Sequence, residues 1–253
     1  MYLKFNQKII TDFSDNNITS LYNEGYVFTR VDKGIMNQTR SLRINLSKFE
    51  LSSENKRILK KTENLQLETI SLPYSNYNWQ IGKLAKDFYE TKFGKGIFSA
   101  NKIKELLTDK EKSNFNLLLM YQTPPLNLPL KDGETANNCP ILSEEGRGEV
   151  LGYAICRETN ELLHYSYPFY SLLASPKTTS EGGLHTPYSL GKNTGLGMMI
   201  RAIVWAKESG KKYVYLGSAS RPTDTYKLQF KGVEWFDENK WSDDFEKLKN
   251  ILK

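Results

Sequence analysis

From Glu149 to the C-terminus, short apolar runs and turns follow one another in an order that few folds accommodate. Residues 150–156 form an apolar run, 157–161 a polar turn, and 162–167 a returning run, the pattern of a β-hairpin. A glycine-containing loop over 190–197 comes next. Beyond it, Leu196, Met199, Ile200, Ile203 and Val204 recur at helical spacing until Gly210 ends the helix. Residues 213–216 read as a strand, 224–230 as a short helix and 233–236 as a last strand, while Trp241, Phe245, Leu248 and Leu252 mark a packed terminal helix. A hairpin, a loop feeding a helix, and then another strand imply a mixed α/β sheet flanked by helices.

The first half supplies further elements. Residues 15–23 read as a helix closed by Gly25, and 26–30 and 41–46 as strands joined by a turn-rich connection. Ser52 or Ser53 caps a helix running to about residue 64, on which Lys56, Arg57, Lys60 and Lys61 share one face opposite Ile58, Leu59 and Thr62. That basic stripe suits either nucleic-acid phosphates or plain solvent. Residues 65–72 read as a strand, and the stripe Ile81, Leu84, Ala85, Phe88 and Tyr89 as the core face of a helix. Ser99 caps another helix, and 115–122 is a nearly continuous apolar strand. Residues 123–148, rich in proline and acids, read as a loop that covers a site. Division into a smaller N-terminal lobe, 1–75, and a larger domain, 76–253, follows from this order.

Composition narrows the function classes. No apolar run reaches the ~18 residues a membrane helix needs, and residues 1–10 lack the apolar core of a secretory signal, so a cytoplasmic protein is expected. Two cysteines, Cys139 and Cys156, and two histidines in 253 residues give no metal-ligand spacing, so no metal site is expected. A formal charge of +6 and a pI near 9.0 favour anionic partners without deciding among them.

The loop before the C-terminal helix carries the clearest chemical suggestion. Lys192-Asn193-Thr194-Gly195-Leu196-Gly197 has the form basic-x-x-Gly-x-Gly where a strand hands over to a helix. Glycines allow close backbone approach to a phosphate, and free N–H groups at a helix start donate to its oxygens. A tight turn before an amphipathic helix would read the same way. The spacing fits neither the phosphate loop of nucleotide hydrolases nor the dinucleotide fingerprint.

This loop and strand order resemble the N-acetyltransferase superfamily, in which a similar loop holds the pyrophosphate of an acyl-coenzyme A. Lys192 stands here where that family has Arg or Gln. Within the superfamily, two further regions are similar to the arginyl-tRNA-protein transferases. The first is Gly25-Tyr26 with the run from Arg40 through Phe49 to Lys61. The second comprises Ser189-Leu190-Gly191, Tyr213-Val214-Tyr215-Leu216-Gly217, and Tyr226-Lys227 with Phe230. Two departures stand out. Ile35-Met36-Asn37-Gln38-Thr39 replaces the family's cysteine cluster, and Ser218-Ala219-Ser220-Arg221 follows Gly217 where aromatic residues are usual.

The resemblance implies transfer of an amino acid from aminoacyl-tRNA to the amino group of a protein N-terminus or small amine, by direct aminolysis and with no cofactor beyond the tRNA co-substrate. It places Asp224, Tyr226 and Lys227 at the chemistry, and His164 is a candidate general base because its ordinary pKa suits one. Lys192, Asn193, Thr194, Gly195 and Gly197 would meet the donor's phosphates or the tRNA 3′ end. Arg40, Arg43, Lys56, Arg57, Lys60 and Lys61 would set the tRNA backbone in place. Plainer roles are open at the same residues: Asp224 as a helix cap after Pro222, and Tyr226 as a packing residue. Two other readings compete, an acyl-coenzyme A N-acyltransferase using acetyl-coenzyme A or another acyl-coenzyme A, and a non-catalytic RNA-binding protein on the same fold.

Overall fold

A computed structural model describes residues 4–124, 148–172 and 193–253. Its elements run β1 (Asn6–Ile9), α1 (Asp15–Asn23), β2 (Tyr26–Phe28), β3 (Ile35–Gln38), β4 (Ser41–Asn45), α2 (Ser53–Lys61), β5 (Gln66–Ser71), α3 (Trp79–Phe93), α4 (Ala100–Thr108) and β6 (Leu117–Gln122). They continue with β7 (Val150–Glu158), β8 (Leu162–Tyr170), α5 (Thr194–Glu208), β9 (Tyr213–Ser218), a 3-10 helix over Pro222–Gln229, β10 (Val233–Asp237), β11 (Lys240–Ser242) and α6 (Phe245–Leu252). Residues 125–147, with Cys139 and most of the expected covering loop, lie outside the described residues, as do Ser189, Leu190, Gly191 and Lys192.

Eight strands form one mixed sheet in the order β11-β10-β4-β9-β8-β7-β6-β5, and β1-β3-β2 form a separate three-stranded sheet. Away from its edge strands the sheet is buried on both faces, which is why β6 reads as a continuous apolar run. Its Leu117, Leu119 and Tyr121 join one core with α2, α5 and α6, while Leu118 and Met120 join another with α1, α3 and α4. Each such fully buried side chain contributes about 1.5–3 kcal/mol. This is the mixed α/β sheet flanked by helices expected from the strand order.

Local chemistry sets the helix ends. The Ser52 hydroxyl accepts from the Asn55 amide at 3.1 Å while the Asn55 side chain accepts from the Ser52 amide, a reciprocal cap that starts α2. Asn78 and Ser99 cap α3 and α4 by accepting backbone amides, without a reciprocal bond.

Two sequence expectations, at residues 35–38 and at Trp241, need correction. Residues 35–38, read as turn, are β3, where Met36 is fully buried and pairing with β1 and β2 supplies the order. Asn6–Ile9 is a strand because it finds β3 as partner, which a local pattern of exposed residues does not reveal. Trp241 belongs to β11, not the terminal helix, and its indole donates to the Asn23 carbonyl at 2.7 Å. Finally, β4 and β5 lie in the same sheet as β6 to β10, so the division at residue 75 falls within one continuous sheet.

One irregularity shapes the site. All neighbours in the large sheet are antiparallel except β8 and β9, and these two are registered only at Leu162 with Tyr213, Leu163 with Val214 and His164 with Tyr215. β8 runs on to Tyr170 and β9 to Ser218, so the two strands part after His164. Pairing of β8 with β7 shifts register between Tyr165 and Tyr167, making Ser166 an extra residue. Its insertion flips the faces: Leu163 and Tyr165 pack with α5, whereas Tyr167 and Phe169 pack on the opposite core.

Candidate active site

Three candidates converge where β8 and β9 part. Gly217, at φ +76°, sits at the register shift between β9 and β4, one residue before β9 ends at Ser218. The following 3-10 helix then brings Asp224, Tyr226 and Lys227 back toward the strand end. Lys227 is 9% exposed, and its ammonium donates to the Ser218 carbonyl at 3.2 Å. Burial lowers its pKa, with Asp224 opposing that shift and Arg221 adding to it. Asp224 Oδ1 stands 3.9 Å from the Lys227 ammonium. Asp224 Oδ2 accepts from the Ser220 and Arg221 amides, each at 2.9 Å. The carboxylate thus caps the turn from its third position, with one oxygen left toward Lys227. Tyr226 is 47% exposed, yet desolvation of its hydroxyl, aided by the negative Asp224, pushes its pKa up to about 12. That hydroxyl stays protonated at neutral pH and near Tyr165 and Tyr170.

His164 sits differently from what a general base requires. It is 3% exposed, and its Nδ1 meets the Tyr22 hydroxyl at 2.8 Å. Burial, then the charge of Lys227, lowers its pKa to about 3. The Tyr22 hydroxyl is pushed far upward by its own burial, so it donates and His164 Nδ1 accepts, placing the ring proton on Nε2. His164 packs edge-on to Tyr22 and near Phe115, in the core away from α5. It is a core histidine beneath Lys227, and the proposed general-base role is corrected accordingly.

The glycine loop is also used differently. The Gly195 amide at the start of α5 donates to the Tyr170 hydroxyl, and a Cβ at Gly195 would stand 2.7 Å from that oxygen. A Cβ at Gly197 would meet Thr62 Oγ1 at 2.7 Å, and the Gly197 amide donates to the Asn193 carbonyl at 2.7 Å. Both glycines therefore serve close packing, one of β8 against α5 and one of α2 against α5. Thr194 is buried, and Asn193 precedes α5 without a side-chain cap. Lys192 lies outside the described residues.

The basic candidates divide. Arg43 is 7% exposed and donates through Nε to Glu234 at 2.9 Å and through Nη1 to Asn23 at 3.1 Å. Its guanidinium lies 4.1 Å from the Tyr213 ring and 3.9 Å from Trp241. No face is left for a tRNA phosphate, which corrects its assignment to the tRNA backbone. Arg40 donates to the Ala219 carbonyl at 3.3 Å, near the outlet of β9, and partial burial lowers its pKa. Lys56, Arg57, Lys60 and Lys61 are exposed on α2, with Arg57 held by Glu54. Thr62 against Gly197, and the Arg201 guanidinium donating to the Thr62 carbonyl at 2.5 Å, tie the end of this basic helix to the first turns of α5.

Sequence reasoning missed Tyr170, Thr62 and Tyr121 at this place. Only Pro168 gave a legible signal, because a proline inside a strand marks an edge or a bulge. Its carbonyl accepts from the Tyr89 hydroxyl at 3.1 Å. Among the described residues, no group of three or more His, Cys, Asp and Glu side chains is placed to hold a metal ion. Nor is any described helix long and apolar enough to cross a membrane.

No family model and no curated protein matches the chain. Solved structures similar to it include L-PGS from Bacillus licheniformis, at 12% identity over 81% of this chain and 52% of that one, with a TM-score of 0.42. FemX matches at 10% identity over 94% of this chain and 64% of that one, TM-score 0.42. A GCN5-related glucosamine N-acetyltransferase region in a fungal multi-domain GH3 beta-N-acetylglucosaminidase matches at 10% identity over 93% of this chain and 23% of that one, TM-score 0.43. The chain spans about half the length of L-PGS and less than two thirds of FemX. At such distances these likenesses fix neither reaction nor substrate.

Proposed function

We propose that the chain is an aminoacyltransferase that moves an amino acid from aminoacyl-tRNA to an acceptor amine, with the reacting ester held where β8 and β9 part. The observation that carries this reading is the join between α2 and α5. Four exposed cations, Lys56, Arg57, Lys60 and Lys61, stand on a helix whose end packs on Gly197, in the first turn of α5. The same contact fills Gly197 with Thr62, and Tyr170 takes the Gly195 amide. A pyrophosphate would have to displace both to use the loop as a coenzyme cradle. A 3′ end reaching the end of the β8–β9 ladder from the α2 side would not.

In this reading the ester arrives activated, and positioning provides several kcal/mol of the acceleration. Lys227 supplies a buried positive charge toward the carbonyl, Asp224 holds Lys227, and the protonated Tyr226 hydroxyl is placed to donate to the departing ribose oxygen. Acetyl-coenzyme A as donor remains the second reading, favoured by the parting of two parallel strands beneath a helix start. If that donor is used, Asn193, Thr194, Gly195 and Gly197 are the described residues that would meet its phosphates.

Filter binding of a charged tRNA pool across a salt series tests the interface. The affinity of the wild-type chain should fall linearly with salt on logarithmic axes. The Lys56→Glu, Lys60→Glu variant should lose about tenfold or more in affinity and flatten the slope by roughly two. An unchanged slope would remove α2 from the interface.

A further inference from the structure

The large sheet ends in two unlike edges. β11, at one end, is three residues long and carries Lys240, a charge of the kind that keeps an edge from pairing with other chains. β5, at the other, is six residues long, with no lysine or proline and with Glu68 as its single charge. Its ladder with β6 continues into Leu72, whose amide donates to the carbonyl of Asn116 at 3.0 Å. Bonded pairs in an antiparallel ladder recur at every second residue. Gln66, Glu68 and Ile70 therefore bond β6, while Leu67, Thr69 and Ser71 turn their N–H and C=O groups outward. Among the described residues no strand lies on that side.

The side chains of β5 are also only partly covered. Leu67 packs toward the core shared with α5 and Ile70 toward the core shared with α3, and each stays partly exposed. On the Ile70 face lies a cavity of about 440 Å³, with Glu68, Ile70, Tyr74, Asn76, Met120 and Gln122 in its wall. Glu68 is the single charged residue lining it. The Glu68 carboxylate accepts from Gln122 Nε2 at 3.3 Å and forms no ion pair among the described residues. A strand added to β5 would lie roughly 4.8 Å away and set every second side chain on the cavity face. A lysine or arginine there meets Glu68 as a cross-strand pair of opposite charge, whereas an acid meets it as a like charge.

We propose that the β5 edge docks an extended peptide segment carrying a lysine or arginine, held by the outward backbone groups of Leu67, Thr69 and Ser71 and by the Glu68 carboxylate. Two strands, β6 and β7, separate this edge from β8, so the docking site is distinct from the place where β8 and β9 part. It does not depend on which donor the chain uses.

The test uses the whole chain and a fluorescent eight-residue peptide that alternates lysine with valine, beside the same peptide with glutamate for lysine. Anisotropy titrations should show the lysine peptide binding about tenfold tighter than the glutamate peptide. Thr69→Pro removes one outward donor and keeps the bonds to β6, because proline is tolerated where an edge N–H faces outward. It should weaken the lysine peptide about tenfold. Glu68→Lys should reverse the preference between the two peptides. Hydrogen exchange at the Leu67, Thr69 and Ser71 amides should be fast in the free chain and slowed by the lysine peptide. Binding of neither peptide, equal binding of both, or slow exchange of those three amides in the free chain would overturn the proposal. So would a dimer of the free chain that Thr69→Pro makes monomeric, which would assign the edge to a second copy.

Discussion

Replacing Arg43 by alanine should destabilise the fold by about 3 kcal/mol, the lower part of the range for removing one partner of a buried ion pair. Glu234, with a side chain 16% exposed, loses its 2.9 Å partner and keeps only the exposed Lys48 amine at 3.5 Å. Tyr213 and Trp241 lose the flat cation between them, and Asn23 and the Tyr215 hydroxyl lose a donor. Chemical denaturation of Arg43→Ala, Glu234→Leu and the double variant separates the pair from its surroundings. The double variant should lie closer to the wild type than the sum of the singles. An Arg43→Ala chain of unchanged stability that binds tRNA less tightly would restore this residue to the nucleic-acid surface.

Between pH 7 and pH 5 the folded state should lose about 2 kcal/mol through His164 alone. Its folded pKa is about 3, depressed from 6.5 mainly by burial and further by Lys227. The unfolded chain therefore binds a proton as pH falls through about 6.5, while the folded chain does not until near 3. A depressed pKa means the contribution is complete above the unfolded value and drains away as pH falls toward the folded one. His164→Asn keeps an acceptor for the Tyr22 hydroxyl and removes the titration. Urea midpoints measured at pH 7 and pH 5 should converge in that variant far more than in the wild type. Equal pH dependence in both would show that the ring is not held neutral in the core.

Much of the fold was legible because the large sheet is covered on both faces and most of its strands are apolar along their length. The turn after Cys156, the helical spacing from Leu196 to Val204, and the capping pair Ser52 and Asn55 each reported local order correctly. Tertiary partners decided the rest. β1 and β3 are short strands whose order comes from each other and from β2, and Trp241 pairs in β11 because Phe236 lies opposite it. At the site, the sequence brought Asp224, Tyr226 and Lys227 to one place, since three neighbours on a short helix stay together wherever it docks. Arg43 and Lys56 look alike in a sequence, yet one meets Glu234 in the core and the other meets water. The glycines were legible as a close approach, but not what approaches. Tyr170 and Thr62, which fill them, come from distant segments with no local signal.

Donor identity separates the two transferase readings. A single-turnover reaction of the wild-type chain, with a pool of tRNAs carrying labelled amino acids, with labelled acetyl-coenzyme A in parallel, and with acceptor peptides differing in their first residue, reads it directly. Aminoacyl transfer predicts labelled amino acid in an amide bond to an acceptor amine and no acetylation above background. Acetylated acceptor with no amino acid transferred from any tRNA would contradict it, and would return the glycine loop to the role of a coenzyme cradle.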